Sequence, residues 1–169
     1  ISQTLLKFIP KEHLTIVSRS DSTLRGHFMP EISALAKITG PYDGIIFMPY
    51  FKEGGRLTIA NEHYVVQGNV MVPASKTEFA KDPVFGFENS HLPTWIKDKN
   101  NKISSVDEVI TISLEDIRLG GIKKVKQKLA KSLDEQFISI DAVDDHDVEI
   151  VILALNEIQK TGKRFLIRS

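Results

Sequence analysis

Apolar residues in this chain gather into short runs separated by stretches of helical spacing. Five runs, at residues 14–18, 44–48, 108–112, 136–140 and 164–167, predict buried strands, each short, rich in Ile, Val or Phe and bounded by polar residues. Between most of them, apolar positions recur every three or four residues. Ile32, Leu35 and Ala36 share one face after Pro30, a favourable first helical residue, in a helix predicted to end near Gly40. Ile122, Val125, Leu129 and Leu133 form a second face. Val148, Val151, Ile152, Leu155 and Ile158 form a third, opened by Asp144 or Asp145 as N-cap and closed before Gly162. Strands alternating with helices imply right-handed crossovers, so the predicted fold class is α/β, doubly wound, with a mostly parallel sheet.

Residues 50–84 break this rhythm. They carry no good helical face, whereas residues 57–59, 64–66 and 70–72 read as short extended pieces joined by turns at Gly54-Gly55 and Gly68-Asn69. The expectation is a β-hairpin excursion from the main sheet, of the kind that covers a site or meets another chain. There is no internal repeat, low-complexity tract or linker.

Composition narrows the function classes. The 169 residues suffice for one domain with a sizeable core. Lys+Arg and Asp+Glu both total 22, and a formal net charge of zero argues against nucleic acid or a membrane surface as partner. Cysteine is absent, which excludes disulfides and thiolate metal sites and fits a reducing cytoplasm, the expected compartment. Residues 1–10 lack the basic and long apolar regions of a secretory signal. The chain begins without methionine, and its last predicted strand ends at Arg168-Ser169 with nothing to cover it. The expectation from both ends is a fragment.

The densest polar cluster is Ser18-Arg19-Ser20-Asp21-Ser22-Thr23-Leu24-Arg25-Gly26-His27, between the first predicted strand and the helix near Pro30. Ligands of open α/β sheets bind at the carboxyl ends of strands, which is where this cluster falls. Arg19 and Arg25 offer planar forks for a carboxylate or phosphate. Asp21, Ser22 and Thr23 offer donors and acceptors for hydroxyls, and Gly26 allows close approach. A second reading fits the same residues: Ser and Asp cap the next helix, and the arginines are surface ion-pair partners. Gly54-Gly55-Arg56 reads by itself as a glycine turn followed by an exposed arginine. Lys76-Thr77-Glu78-Phe79-Ala80-Lys81-Asp82 reads as a solvated segment with one buried phenylalanine. No G-x-x-x-x-G-K-[ST] or G-x-G-x-x-G motif announces a nucleotide, and no G-x-S-x-G elbow supports Asp21, Ser22 and His27 as a hydrolase triad. His13, His27, His63, His91 and His146 lack metal-ligand spacing, so no metal site is expected.

The run from Ser18 to Phe28, followed by Pro30-Glu31, closely resembles the long motif of the four-carbon acid sugar kinase (DUF1537-type) family. Met48-Pro49-Tyr50-Phe51 with Glu53-Gly54-Gly55-Arg56 resembles the family's P-x-F-x-x-G-G-R segment. His63-Tyr64-Val65, the block from Thr77 to Gly86, Gly162-Lys163-Arg164 and Arg168-Ser169 match further family blocks in order. The resemblance covers essentially the whole chain. It implies a two-domain, ATP-dependent kinase of threonate, erythronate or oxo-tetronate-type acids, whose N-terminal domain binds the sugar acid and whose C-terminal domain binds ATP with Mg. On this resemblance Ser20, Asp21, Ser22, Thr23, Arg25, Gly26 and His27 line the acid site, with Gly55 and Arg56 near it. Arg25, with Arg19 or Arg56, is the expected holder of the carboxylate, and Asp21 the expected orienter of a hydroxyl and candidate catalytic base. The family's Asp-Asp-x-Thr-Gly-Ala-type opening strand and its nucleotide-binding domain have no counterpart here. The chain is therefore expected to be an incomplete sugar-acid-binding domain, inactive alone and without cofactor of its own, with the nucleotide-binding domain of the same enzyme as partner. An incomplete sheet makes self-association into a homo-oligomer plausible. The alternative is a non-catalytic ligand-binding or effector-like interaction module.

Overall fold

The computed structural model describes residues 2–169; Ile1, part of the segment read above for a signal sequence, lies outside them. Five strands, β1 (Ile16–Ser18), β2 (Gly44–Phe47), β6 (Ile110–Ile112), β7 (Gln136–Ile140) and β8 (Phe165–Arg168), form one sheet in the order β1-β8-β2-β7-β6. Every pairing in it is parallel. Strands buried on both faces need apolar residues at successive positions, which is why these runs do not alternate. In β2, Ile45 and Phe47 pack on one face and Ile46 on the other; in β8, Leu166 opposes Phe165 and Ile167 in the same way.

Helices cover both faces. After the short α1 (Ser2–Leu5), the first face carries α2 (Phe28–Thr39) and α3 (Leu92–Lys99) through Phe28, Ile32, Trp95 and Ile96. Phe28 sits edge-on to Phe47 and Trp95, with ring centroids 5.1 and 4.6 Å apart. The other face carries α4 (Leu114–Arg118), α5 (Gly121–Leu129) and α6 (Asp145–Gln159) through Ile117, Val125, Leu129, Val151 and Leu155. The doubly wound α/β expectation holds.

Details differ from the sequence reading. Helix α2 begins at Phe28, so Pro30 is its third residue; first-turn amides have no partner within the helix, so proline costs nothing there. Glu108 is not in a strand, because its carboxylate accepts the amides of Ser104 and Ser105 and closes a capping box on a short 3-10 turn. Leu14 precedes β1, and Leu133 lies beyond α5 with 64% exposure. Ile152, expected on the buried face of α6, is 40% exposed. Asp144 is the N-cap of that helix, accepting from His146 N, while Asp147 completes the box. Helices α3 and α4 were not anticipated; α4 is too short to show a period and is set by the Ser113–Asp116 capping box.

The excursion is an antiparallel sheet of β3 (Arg56–Ile59), β4 (Glu62–Gln67) and β5 (Val70–Pro73). The chain leaves β2 toward the first face and leaves β7 toward the second, so the crevice between their carboxyl ends is the topological switch point of the large sheet. The excursion sits on that crevice. Thr58 of β3 pairs with Ala142 through two backbone bonds of 2.9 and 3.2 Å. Ala60 and Asn61, both at positive φ in the β3–β4 turn, donate their amides to the buried carboxylate of Asp141 at 2.8 and 2.9 Å. Among the described residues, no helix is long and apolar enough to cross a membrane.

Candidate functional site

With the switch point filled, the open polar cleft lies two strands over, where β1 and β8 end. The loop after β1 is tied to its neighbour strand by Ser20 N donating to Ser169 O at 2.6 Å and Ser169 N donating to Ser18 O at 3.1 Å. Leu24 then takes φ 67° and sinks to 2% exposure in the core. A branched residue in the left-handed region costs roughly 1 kcal/mol, offset here by burial of the whole side chain. Fixing Leu24 inward presents Asp21 and Arg25 on the outer side.

The cleft encloses about 390 Å³ and is lined by Ser20, Asp21, Arg25, Gly26, His27, Glu31, Asp82, Phe85 and Arg168. Asp21 Oδ1 accepts the Thr23 amide at 2.9 Å and the Thr23 hydroxyl at 2.7 Å, while Oδ2 accepts Arg25 Nε at 2.6 Å. Partial burial pushes the Asp21 pKa up, but the Thr23 and Arg25 hydrogen bonds outweigh it and hold the carboxyl below its ordinary value. Asp82 lies on the other side of Arg25, 3.7 Å from Nη1. Its carboxyl also accepts the amides of Phe85 and Val84, and these bonds, with Arg25, keep its pKa low. Arg25 is thus flanked by two carboxylates.

Phe79 supports this array. The guanidinium carbons of Arg25 and Arg56 lie 5.1 and 5.4 Å from its ring centroid, within cation–π range. Arg168 ends β8 at 2% exposure, with Nη1 donating to Ser18 Oγ at 2.8 Å and lying 2.6 Å from Glu31 Oε2. His27 is exposed at the rim, edge-on to Phe85 at 4.9 Å.

Of the expected site residues, Ser20, Asp21, Arg25, Gly26 and His27 line the cleft. Thr23 is buried beneath Asp21, and Ser22 turns its carbonyl to His63. Arg19 is exposed on the flank, 5.6 Å over Phe51. Gly55 and Arg56 stand behind the cleft. Gly55 has φ 69°, and a Cβ there would meet Val66 Cβ at 2.8 Å, so its glycine is required by packing. The Arg56 guanidinium turns back to the Gly54 carbonyl and stacks on Phe79. Glu31, Asp82, Phe85 and Arg168 were missed as site residues. Arg168 carried a usable signal: it ends a strand beside the one that carries the polar loop. Asp82 lay in the Thr77–Gly86 block that resembles the family, but no spacing signal placed it at the cleft, since its position depends on how the segment after the excursion folds back. Among the described residues, no group of three or more His, Asp or Glu side chains is arranged to hold a metal ion.

The parallel α/β sheet carries a small cleft of carboxylates and arginines at its strand ends. The chain belongs to the sugar-binding N-terminal domain family, whose profile matches residues 3–169. Over 65 residues it is 35% identical to D-erythronate kinase of Heliobacterium modesticaldum, a match covering 38% of this chain and 14% of that enzyme. A Haemophilus influenzae DUF1537 protein superposes with TM-score 0.72 at 17% identity, over 99% of this chain and 39% of that one. A Bordetella bronchiseptica DUF1537 structure, a domain-swapped dimer with bound citrate, superposes with TM-score 0.68 at 24% identity, over 99% of this chain and 36% of that one. The chain therefore spans well under half the length of these relatives.

Proposed function

We propose that this chain is the substrate-binding portion of an ATP-dependent kinase that phosphorylates a four-carbon sugar acid of the threonate, erythronate or oxo-tetronate type. The observation that carries the reading is the Asp21–Arg25–Asp82 array beside Arg168: fixed acceptors for hydroxyls next to cations for a carboxylate, in a cleft sized for a small molecule. The erythronate kinase match and the citrate, a hydroxy acid, in the Bordetella structure support the ligand class.

In this reading the chain binds and orients. Asp21 spends both lone pairs of Oδ1 on Thr23 and one of Oδ2 on Arg25, leaving one acceptor direction for a substrate hydroxyl. Its lowered pKa suits accepting a hydrogen bond and opposes acting as proton acceptor, so its role here is positioning. In this reading ATP and Mg are bound by the nucleotide-binding domain of the same enzyme. Phosphoryl transfer depends on positioning and charge, and this portion supplies the acceptor's position.

Thermal denaturation with threonate, erythronate or ATP tests the reading. A ligand that binds only the folded chain raises its melting temperature. A rise with a sugar acid and none with ATP is expected; a rise with ATP alone, or none with any acid, overturns it.

A further inference from the structure

Arg168 is a cleft residue that keeps unspent bonding capacity although it is buried. It is 2% exposed, yet both polar contacts of its side chain run through Nη1, to Ser18 Oγ and to Glu31 Oε2, and its buried Nε has no acceptor. A guanidinium normally grips a carboxylate through two parallel bonds. Glu31 takes Arg168 through Nη1 alone, so the fork is half used. Glu31 is held loosely by comparison: its side chain is 42% exposed, and its other oxygen accepts from Ser18 Oγ at 2.9 Å. Arg25, the other arginine lining the cleft, already lies between Asp21 and Asp82. A ligand carboxylate entering the cleft therefore finds at Arg168 a cation flanked by one carboxylate where Arg25 is flanked by two, and that one carboxylate, Glu31, stands where the ligand would bind.

We infer that Arg168 receives the substrate carboxylate and that Glu31 is its occupant in the free protein, displaced when the acid binds. The inference rests on the sugar-acid reading and moves the carboxylate from Arg25, the residue expected from sequence, to Arg168. Glu31 is well placed to leave, because it projects from the first turn of α2 into the cleft. As a like charge it also opposes the incoming anion, so binding strength is set by an exchange of two carboxylates on one guanidinium.

Calorimetric titration of this chain with erythronate and threonate, and with the uncharged polyols erythritol and threitol, tests the exchange. Glu31→Gln removes the competing charge while keeping the shape, and is expected to tighten acid binding by about tenfold with little change for the polyols. Arg168→Lys keeps the charge but loses the fork, and is expected to weaken acid binding by about tenfold or more while sparing the polyols. If the buried Arg168 variant fails to fold by circular dichroism, Glu31→Gln carries the test, since that side chain is partly exposed. Glu31→Gln weakening acids and polyols alike would make Glu31 a ligand of the hydroxyls and overturn the exchange. An acid-to-polyol ratio unmoved by Arg168→Lys would also overturn it, leaving the sugar-acid reading intact. A wild-type chain that binds neither acid sinks both.

Discussion

His63 Nε2 lies 2.8 Å from the carbonyl oxygen of Ser22, tying the excursion sheet to the polar loop. A carbonyl only accepts, so the proton sits on Nε2 and Nδ1 accepts from Thr58 Oγ1 at 2.9 Å. Burial, with the nearby Arg56 charge acting in the same direction, pushes the His63 pKa down to about 4 from its ordinary 6.5, although the Ser22 bond opposes the shift.

That shift has a defined sign. In the folded chain His63 stays neutral where the unfolded chain would protonate it, so its contribution is fully present above pH 6.5 and is lost as pH falls toward about 4. Over that window the wild type is expected to lose about 3 kcal/mol more than His63→Gln. Urea unfolding of both at pH 7.5, 5.5 and 4.5 measures the difference; parallel curves would contradict it.

Arg25→Ala is expected to raise the pKa values of both Asp21 and Asp82, because the guanidinium lowers each. The rise is expected to be larger at Asp21, which loses a 2.6 Å hydrogen bond as well as the charge, than at Asp82, whose contact is 3.7 Å and whose amide bonds remain. Carboxyl-carbon NMR titration reads both sites. An equal or reversed order would mean that Arg25 does not hold this geometry in solution.

Two glycines at similar backbone angles separate strain from packing. Gly55 and Gly68 have φ 69° and 60°, but only at Gly55 does an added Cβ meet a neighbour, Val66 Cβ at 2.8 Å. Gly68→Ala is expected to cost about 1 kcal/mol for the left-handed conformation. Gly55→Ala is expected to cost roughly 1–3 kcal/mol more for the overlap. Thermal melts suffice, and equal losses would remove the packing argument for Gly55.

On the opposite face, Asp147 is 2% exposed and accepts Arg118 Nε and Nη2 at 2.8 and 2.9 Å, together with the amides of Val143 and Asp144. Asp147→Asn is expected to cost about 2 kcal/mol, since it weakens a charge-assisted network while Arg118 can turn to water. A loss near zero would mark the pair as solvent-compensated.

The large sheet was legible because strands covered on both faces must be apolar at successive positions, as at Ile45, Ile46 and Phe47. The pieces of the excursion were legible from Gly68 and the short β-branched runs. What was lost lay in bonds that leave no period: Ser113 with Asp116, and Glu108 with Ser104 and Ser105, set local turns through side-chain caps. The candidate site divided in the same way. Asp21 and Arg25 sit on one contiguous loop, so their pairing is nearly local. Asp82 and Arg168 reach the cleft only through tertiary folding, and neighbours in sequence do not show that Arg56 faces Phe79 rather than the cleft.

The excursion sheet lies over the sheet end in the manner of a flap, but its attachments make it a wedge. Lifting it would break the two Thr58–Ala142 bonds and the two amides on Asp141, leaving that carboxylate buried without them. An opening of that kind belongs with the rare, near-global excursions seen by slow hydrogen exchange, not with the motions of a turnover cycle. The amides of Thr58, Ala60, Asn61 and Ala142 should therefore exchange as one late group. In the proposed reading, access to the β1–β8 end therefore does not depend on a hinge in this sheet.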